Sequence, residues 1–220
     1  TGRTYKPCCG KLICNGCVHA PLYDNMGNII RDQKCPFCRT PPPSSKEEMI
    51  KQYKKRVEAN DADGIYNLGC IYRDGKHGLA QDYDMALELW KQAAELGGCS
   101  RAYHNIGYSY SIGAGVLGQD TKKATHYYKL AAIGGNVLAR CNLAIAEDEA
   151  GYMKRALAHY TIAAGSGHNK SLKEIQKFYT NGMATKENYA TALRAYQIFL
   201  MEIKSEQRDK AAAAQNNPYY

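Results

Sequence analysis

The sequence predicts an all-α protein, a right-handed α-solenoid of about four helix-pair repeats preceded by a small cysteine-rich zone. Three observations predict it. Segments recur at a constant offset of 38 residues; each recurring unit carries helical spacing of its apolar positions; and six of the nine cysteines fall before residue 39. Composition is compatible with this, since 220 residues at 45% hydrophobic and 23% charged lie near the globular average. No apolar run approaches the ~18 residues needed to span a bilayer, so no membrane segment is expected. The formal charge of +8 is unevenly placed: residues 1–60 hold 11 basic and 5 acidic side chains, and the remainder is nearly neutral. Thiolates bound to a metal would erode the early surplus further, which argues against nucleic acid as a partner.

The first zone, residues 1–39, contains Cys8, Cys9, Cys14, Cys17, Cys35 and Cys38, that is CC, x4, C-x2-C, x17, C-x2-C. Cysteines two residues apart offer both thiolates to one ion, because the intervening turn points both sulfurs inward. Zinc is therefore expected in place of disulfides, and with it a reducing compartment, cytoplasmic or nuclear. Residues 40–60 begin with TPPPSS, which cannot be helical and reads as a stiff spacer. Ser45 followed by Glu48 is a capping box that starts a helix near Lys46. Met49, Ile50, Tyr53 and Val57 form its apolar stripe, leaving Lys51, Lys54, Lys55 and Arg56 mostly towards solvent.

Residues 61–200 hold the repeats. YNLGCIYRDG (66–75) aligns with HNIGYSYSIG (104–113), matching Gly69 to Gly107, Tyr72 to Tyr110 and Gly75 to Gly113. The register continues through Ala86/Ala124, Trp90/Tyr128 and Ala94/Ala132, so the unit is a complete helix, loop and helix. A third unit has Ala156 and Tyr160 with a shortened loop, and a fourth has Ala192 and Tyr196. The four-residue step from alanine to aromatic places both on one helix face, where the alanine admits a neighbouring helix and the ring fills the adjoining groove. Residues 201–220 are read as a capping helix and tail.

These residues resemble the Sel-one-like repeats, relatives of the tetratricopeptide repeats with longer loops. The resemblance implies an adaptor for protein partners. Tyr66, Tyr103 and Tyr108, aromatic residues that do not recur from unit to unit, are the candidates for the partner surface, whereas Tyr72 and Tyr110 are assigned to the core.

The zone KPCCGKLICNGC…CPFCR resembles the later part of a RING domain, close to its all-cysteine variety. The resemblance implies two zinc ions in a cross-brace. By order, Cys8 and Cys9 would be ligands three and four, Cys14 and Cys17 five and six, and Cys35 and Cys38 seven and eight. Cys8, Cys9, Cys35 and Cys38 would then share one ion, while Cys14 and Cys17 would hold half of the other site. Six ligands where the family has eight leave two readings open: an upstream C-x2-C absent from this sequence, or a degenerate domain with one complete site. His19 stands just past a knuckle and reads as a surface residue.

A RING domain has no nucleophile and acts by holding a charged ubiquitin-conjugating enzyme. Pro36 and Arg39 stand where that family contacts the enzyme, although Lys34 replaces an apolar residue usual before ligand seven. The implied function is a ubiquitin-ligase substrate adaptor; the alternative is a non-catalytic zinc-containing scaffold. GAGVLG (113–118) matches a dinucleotide fingerprint by letter, but it is the repeat's own loop and follows a helix instead of a strand. Glu147, Asp148 and Glu149 read as a solvated turn.

Overall fold

The structure, a computed structural model, describes residues 3–14, 17, 34–115 and 118–203. They divide into two compact units, the first running to Asp82 and the second covering Tyr83–Glu202.

In the first unit, β1 (Arg3–Lys6) and β2 (Lys11–Cys14) pair antiparallel with Tyr5 opposite Leu12 and Lys6 opposite Lys11. The turn closes on Lys6, whose carbonyl accepts from the backbone of Cys9 (3.2 Å) and Gly10 (2.8 Å). Gly10 takes φ of 71°, and a Cβ there would lie 2.4 Å from an Asp61 carboxylate oxygen. Glycine is required on both counts. Helix α1 (Lys46–Glu58) starts where the capping residues place it: Ser45 Oγ accepts from Glu48 N at 3.1 Å. The Glu48 carboxylate reaches Ser44 N and Oγ, both at 2.7 Å, one residue further back than a capping box requires. Helix α2 (Ala62–Asp74) is capped by Asp61, whose Oδ1 accepts from Asp63 N and Gly64 N at 3.1 Å, and ends on Gly75 in the left-handed region.

The proline run is not a free spacer. Pro41, Pro42 and Pro43 line a hollow together with Tyr5, Pro7 and Tyr53. Tyr5 is buried and its ring stacks on Tyr53 at 6.1 Å, and Cys35 N donates to Thr40 O at 2.8 Å, so the chain is drawn back along the hairpin before α1 begins.

Among the described residues, the regular elements of the second unit are all helices: α3 (Tyr83–Gly97), α4 (Ser100–Ile112), α5 (Thr121–Ile133), α6 (Val137–Glu149), α7 (Met153–Gly165), α8 (Asn169–Thr180) and α9 (Lys186–Ile203). Helices α3 to α7 each pack on the next in the chain. The alanine and aromatic positions behave as their spacing predicts. Ala86, Ala124, Ala156 and Ala192 are buried, as are Trp90, Tyr128 and Tyr160, while Tyr196 packs against a core of α6 to α9 that includes Leu172, Ile175 and Phe178. A second core joins Ala124, Tyr128, Ala131 and Ala132 of α5 to Ala139 and Leu143 of α6. The result is the repeat architecture predicted, a stack of helix pairs.

The acidic run departs from expectation. Helix α6 continues through Glu149, and Glu147 is only 8% exposed, with its Oε1 2.5 Å from Arg155 Nη2. The acidic run forms the last turn of the helix instead of a loop, and one carboxylate turns inward, where a guanidinium partner offsets its desolvation. The capping helix expected after residue 201 lies outside the described residues beyond Ile203.

Candidate metal centre

Two backbone turns bring four cysteines together. The hairpin turn presents Cys8 and Cys9. The second turn runs from Cys35 to Thr40, held by Arg39 N donating to Cys35 O at 2.9 Å with Arg39 at φ of 60°. The sulfurs of Cys8, Cys9, Cys35 and Cys38 all lie within 4.8 Å of one another. Cys9 and Cys35 are 3.8 Å apart, and Cys8 and Cys38 are 3.5 Å apart. A tetrahedral zinc with Zn–S bonds of ~2.3 Å separates its sulfurs by roughly 3.8 Å, so this quartet fits one tetrahedral ion with sub-ångström adjustment. These are the four cysteines that the order of ligands assigns to a single ion.

Burial and sulfur neighbours push the Cys8 thiol well above its ordinary range, and burial raises Cys9 as well. Cys38 is fully exposed, and hydrogen bonding to Thr40, whose Oγ1 lies 3.1 Å away, lowers it to about 6. A lowered thiol pKa favours the thiolate, which is the metal-binding form.

Cys14 and Cys17 lie outside the quartet. Cys17 N donates to Cys14 Sγ at 3.3 Å, the local turn typical of a knuckle. His19 lies outside the described residues. Pro36 and Arg39 are exposed on the second turn, with Phe37 between them at 51% exposure.

Sequence reasoning missed the groups behind the quartet. Arg56, expected to face solvent, turns inward and its Nη2 donates to the Cys8 carbonyl at 3.3 Å. The Tyr5 hydroxyl donates to Asp61 Oδ2 at 2.6 Å, and burial together with that carboxylate raises its pKa far beyond the usual phenolic value. No spacing motif announces these contacts; the one hint is an arginine following a run of lysines on α1.

The expected partner residues separate. Tyr108 is 49% exposed on α4. Tyr103 is drawn inward: it stacks on Tyr127 at 6.3 Å, as Tyr110 does at 5.7 Å, and both pack against the α5–α6 core. A residue that does not recur can therefore still be core when a local neighbour, here Tyr127, supplies the packing. Tyr66 is half-buried on α2.

Comparison with known proteins bears on the helical part. The Sel1 repeat family matches residues 62–98 and 100–136. Residues 62–136 carry two Sel1 repeats. It is 31% identical over 153 residues to the chitin synthase regulator SKT5 of Saccharomyces cerevisiae, an alignment covering 64% of this chain and 21% of that protein. It is 36% identical over 73 residues to cytochrome c oxidase assembly factor 7 of Xenopus tropicalis, covering 32% of this chain and 30% of that protein. The chain thus spans under a third of either relative. Among solved structures it is similar to a Sel1 repeat protein from Oxalobacter formigenes, with a TM-score of 0.61 and 29% identity over 71% of this chain and 64% of that one. It also shares the fold of c5321, a protective antigen of uropathogenic Escherichia coli, with a TM-score of 0.56 at 21% identity over 76% of this chain and 39% of that one. Beyond the matched residues the chain continues as helices α6 to α9.

Proposed function

We propose that this protein is a zinc-binding RING-type adaptor whose Sel1 solenoid captures a protein partner. The observation that carries the reading is the convergence of Cys8, Cys9, Cys35 and Cys38 within 4.8 Å on a chain that continues into Sel1 repeats. When bound, zinc would act as a structural ion that closes the two turns upon each other; four thiolates leave it no open coordination position for chemistry. Exposed Pro36, Phe37 and Arg39 on the second turn support a docking role for that turn, with a ubiquitin-conjugating enzyme as the partner that the RING resemblance implies. Arginine suits such a contact because its planar fork bridges two carbonyl acceptors. The Saccharomyces relative, named as the regulator of a synthase, supports a role exercised through another protein.

The decisive experiment adds the chain to a conjugating enzyme loaded with ubiquitin and measures thioester discharge, with Arg39→Ala as the comparison. Discharge that falls with Arg39→Ala supports ligase action. Absence of stimulation across a panel of conjugating enzymes, by a chain supplied with all eight ligands, leaves the non-catalytic scaffold, which keeps partner capture and has no discharge to lose.

A further inference from the structure

We infer that Arg56, Tyr5 and Asp61 are positioning residues of the metal centre, so that zinc binding and the capping of α2 form one coupled equilibrium. The inference rests on the proposal that the quartet binds zinc.

The contacts form a chain from the first cysteine pair to the first repeat helix. Arg56 Nη2 donates to the carbonyl of Cys8. Its Nε is buried without a hydrogen-bond partner among the described residues. A guanidinium left partly unsatisfied in a buried position is costly unless an anion lies near, and a zinc bound to four thiolates carries a net charge of minus two. The Asp61 carboxylate and Arg56 Nη1 both border Gly10, and a dianionic centre at the hairpin turn adds to that carboxylate in favouring the Arg56 charge there.

Beside the same turn, Asp61 has two tasks. Its Oδ1 caps α2 at Asp63 N and Gly64 N, and its Oδ2 accepts from the Tyr5 hydroxyl. Two glycines let the parts meet. A Cβ on Gly10 would strike the Asp61 carboxylate, and one on Gly64 would lie 2.4 Å from Arg56 Cβ and 2.8 Å from the Tyr5 hydroxyl. These close approaches from separate elements describe a seat shaped to the hairpin. Whatever orders the hairpin therefore orders the first turn of α2, and linkage makes the effect reciprocal.

The test uses the intact chain. Zinc affinity is measured by competition against a chromophoric chelator, and Co2+ absorption reports the thiolate ligand set. Hydrogen exchange at the first turn of α2 is followed with and without zinc. Tyr5→Phe, an isosteric change, and Arg56→Ala are expected to weaken zinc binding about tenfold or more, the usual cost of losing an outer-shell partner, while the cobalt spectrum keeps its four-thiolate signature. Arg56→Lys should recover part of the loss. Zinc should slow exchange at Asp63 and Gly64 in the unaltered chain and do so by a smaller factor in Tyr5→Phe. Wild-type zinc affinity in both Tyr5→Phe and Arg56→Ala, or exchange at α2 that ignores zinc, would overturn the coupling and leave the zinc reading intact. An unaltered chain that binds no zinc would overturn both.

Discussion

The turn that joins one helix pair to the next recurs with the same backbone but different surroundings, and this offers an internal control. Gly135 precedes the cap of α6 with φ of 80°, and Gly167 precedes the cap of α8 with φ of 87°. Both occupy the left-handed region, where a side chain costs roughly 1–2 kcal/mol. A Cβ at Gly135 meets nothing within 4 Å, whereas one at Gly167 would lie 2.1 Å from the Phe199 ring. Overpacking of that kind adds about 1–3 kcal/mol. Gly135→Ala should therefore lose about 1–2 kcal/mol and Gly167→Ala about 2–5 kcal/mol, read from urea unfolding monitored by circular dichroism. Adding Phe199→Leu should reduce the loss caused by Gly167→Ala and leave that of Gly135→Ala unchanged. Equal losses at the two glycines, or no coupling to Phe199, would refute the steric part of the reasoning.

Metal analysis after mild chelation should find about one tightly held zinc per chain, with Cys35→Ala abolishing it and Cys14→Ala costing less; two chelation-resistant ions would contradict the division into a complete and a half site. His168 caps α8, its Nδ1 accepting from Ser171 N at 3.3 Å, and burial together with Lys170 lowers its pKa. A base with a depressed folded pKa contributes stability above its unfolded value of about 6.5 and loses it as pH falls through the folded value. The urea midpoint should drop between pH 7 and pH 5, and His168→Asn should flatten that drop, as Asn136 already caps α6 without a titrating group; an unchanged pH profile in the variant would count against the cap. Tyr108→Ala should weaken capture of a solenoid partner without lowering helix content or changing the unfolding free energy by more than about 0.5 kcal/mol, because its ring is half-exposed, whereas Tyr103→Ala should lower stability as well by removing a stacked ring; equal stability loss in both would assign Tyr108 to the core.

The helical fold was legible because a solenoid repeats its packing requirements. Ala124 and Tyr128 answer the same demand as Ala156 and Tyr160, so one unit interprets the next. The four-cysteine cluster was legible for a different reason: the RING resemblance, through its order of ligands, groups Cys8 and Cys9 with Cys35 and Cys38, whereas spacing alone marks only the C-x2-C pairs Cys14/Cys17 and Cys35/Cys38. The seat beneath it was not legible. Arg56 is separated from Cys8 by 48 residues and Tyr5 from Asp61 by 56, and a pair brought together once, without repetition or a fixed spacing, leaves no periodic trace. The inward turn of Glu147 was missed on the same ground, since its partner Arg155 is supplied by the next helix across a shortened loop, which is a property of that junction alone.

The same contrast locates specificity on the solenoid. Ala102, Ala139 and Ser171 occupy equivalent inward positions on α4, α6 and α8 and all are buried, so this row is constrained to small side chains by the approach of neighbouring helices. Ile106, Leu143 and Ile175 form a second buried row with aliphatic bulk preserved. Two residues further along, Tyr108, Ile145 and Lys177 are all exposed and share neither charge nor shape. A row that packing does not constrain is free to differ from unit to unit, and a partner that touches several units at once reads those differences together. The information that distinguishes this solenoid from another with the same fold is therefore concentrated in such exposed rows, where periodic analysis finds nothing because nothing there repeats.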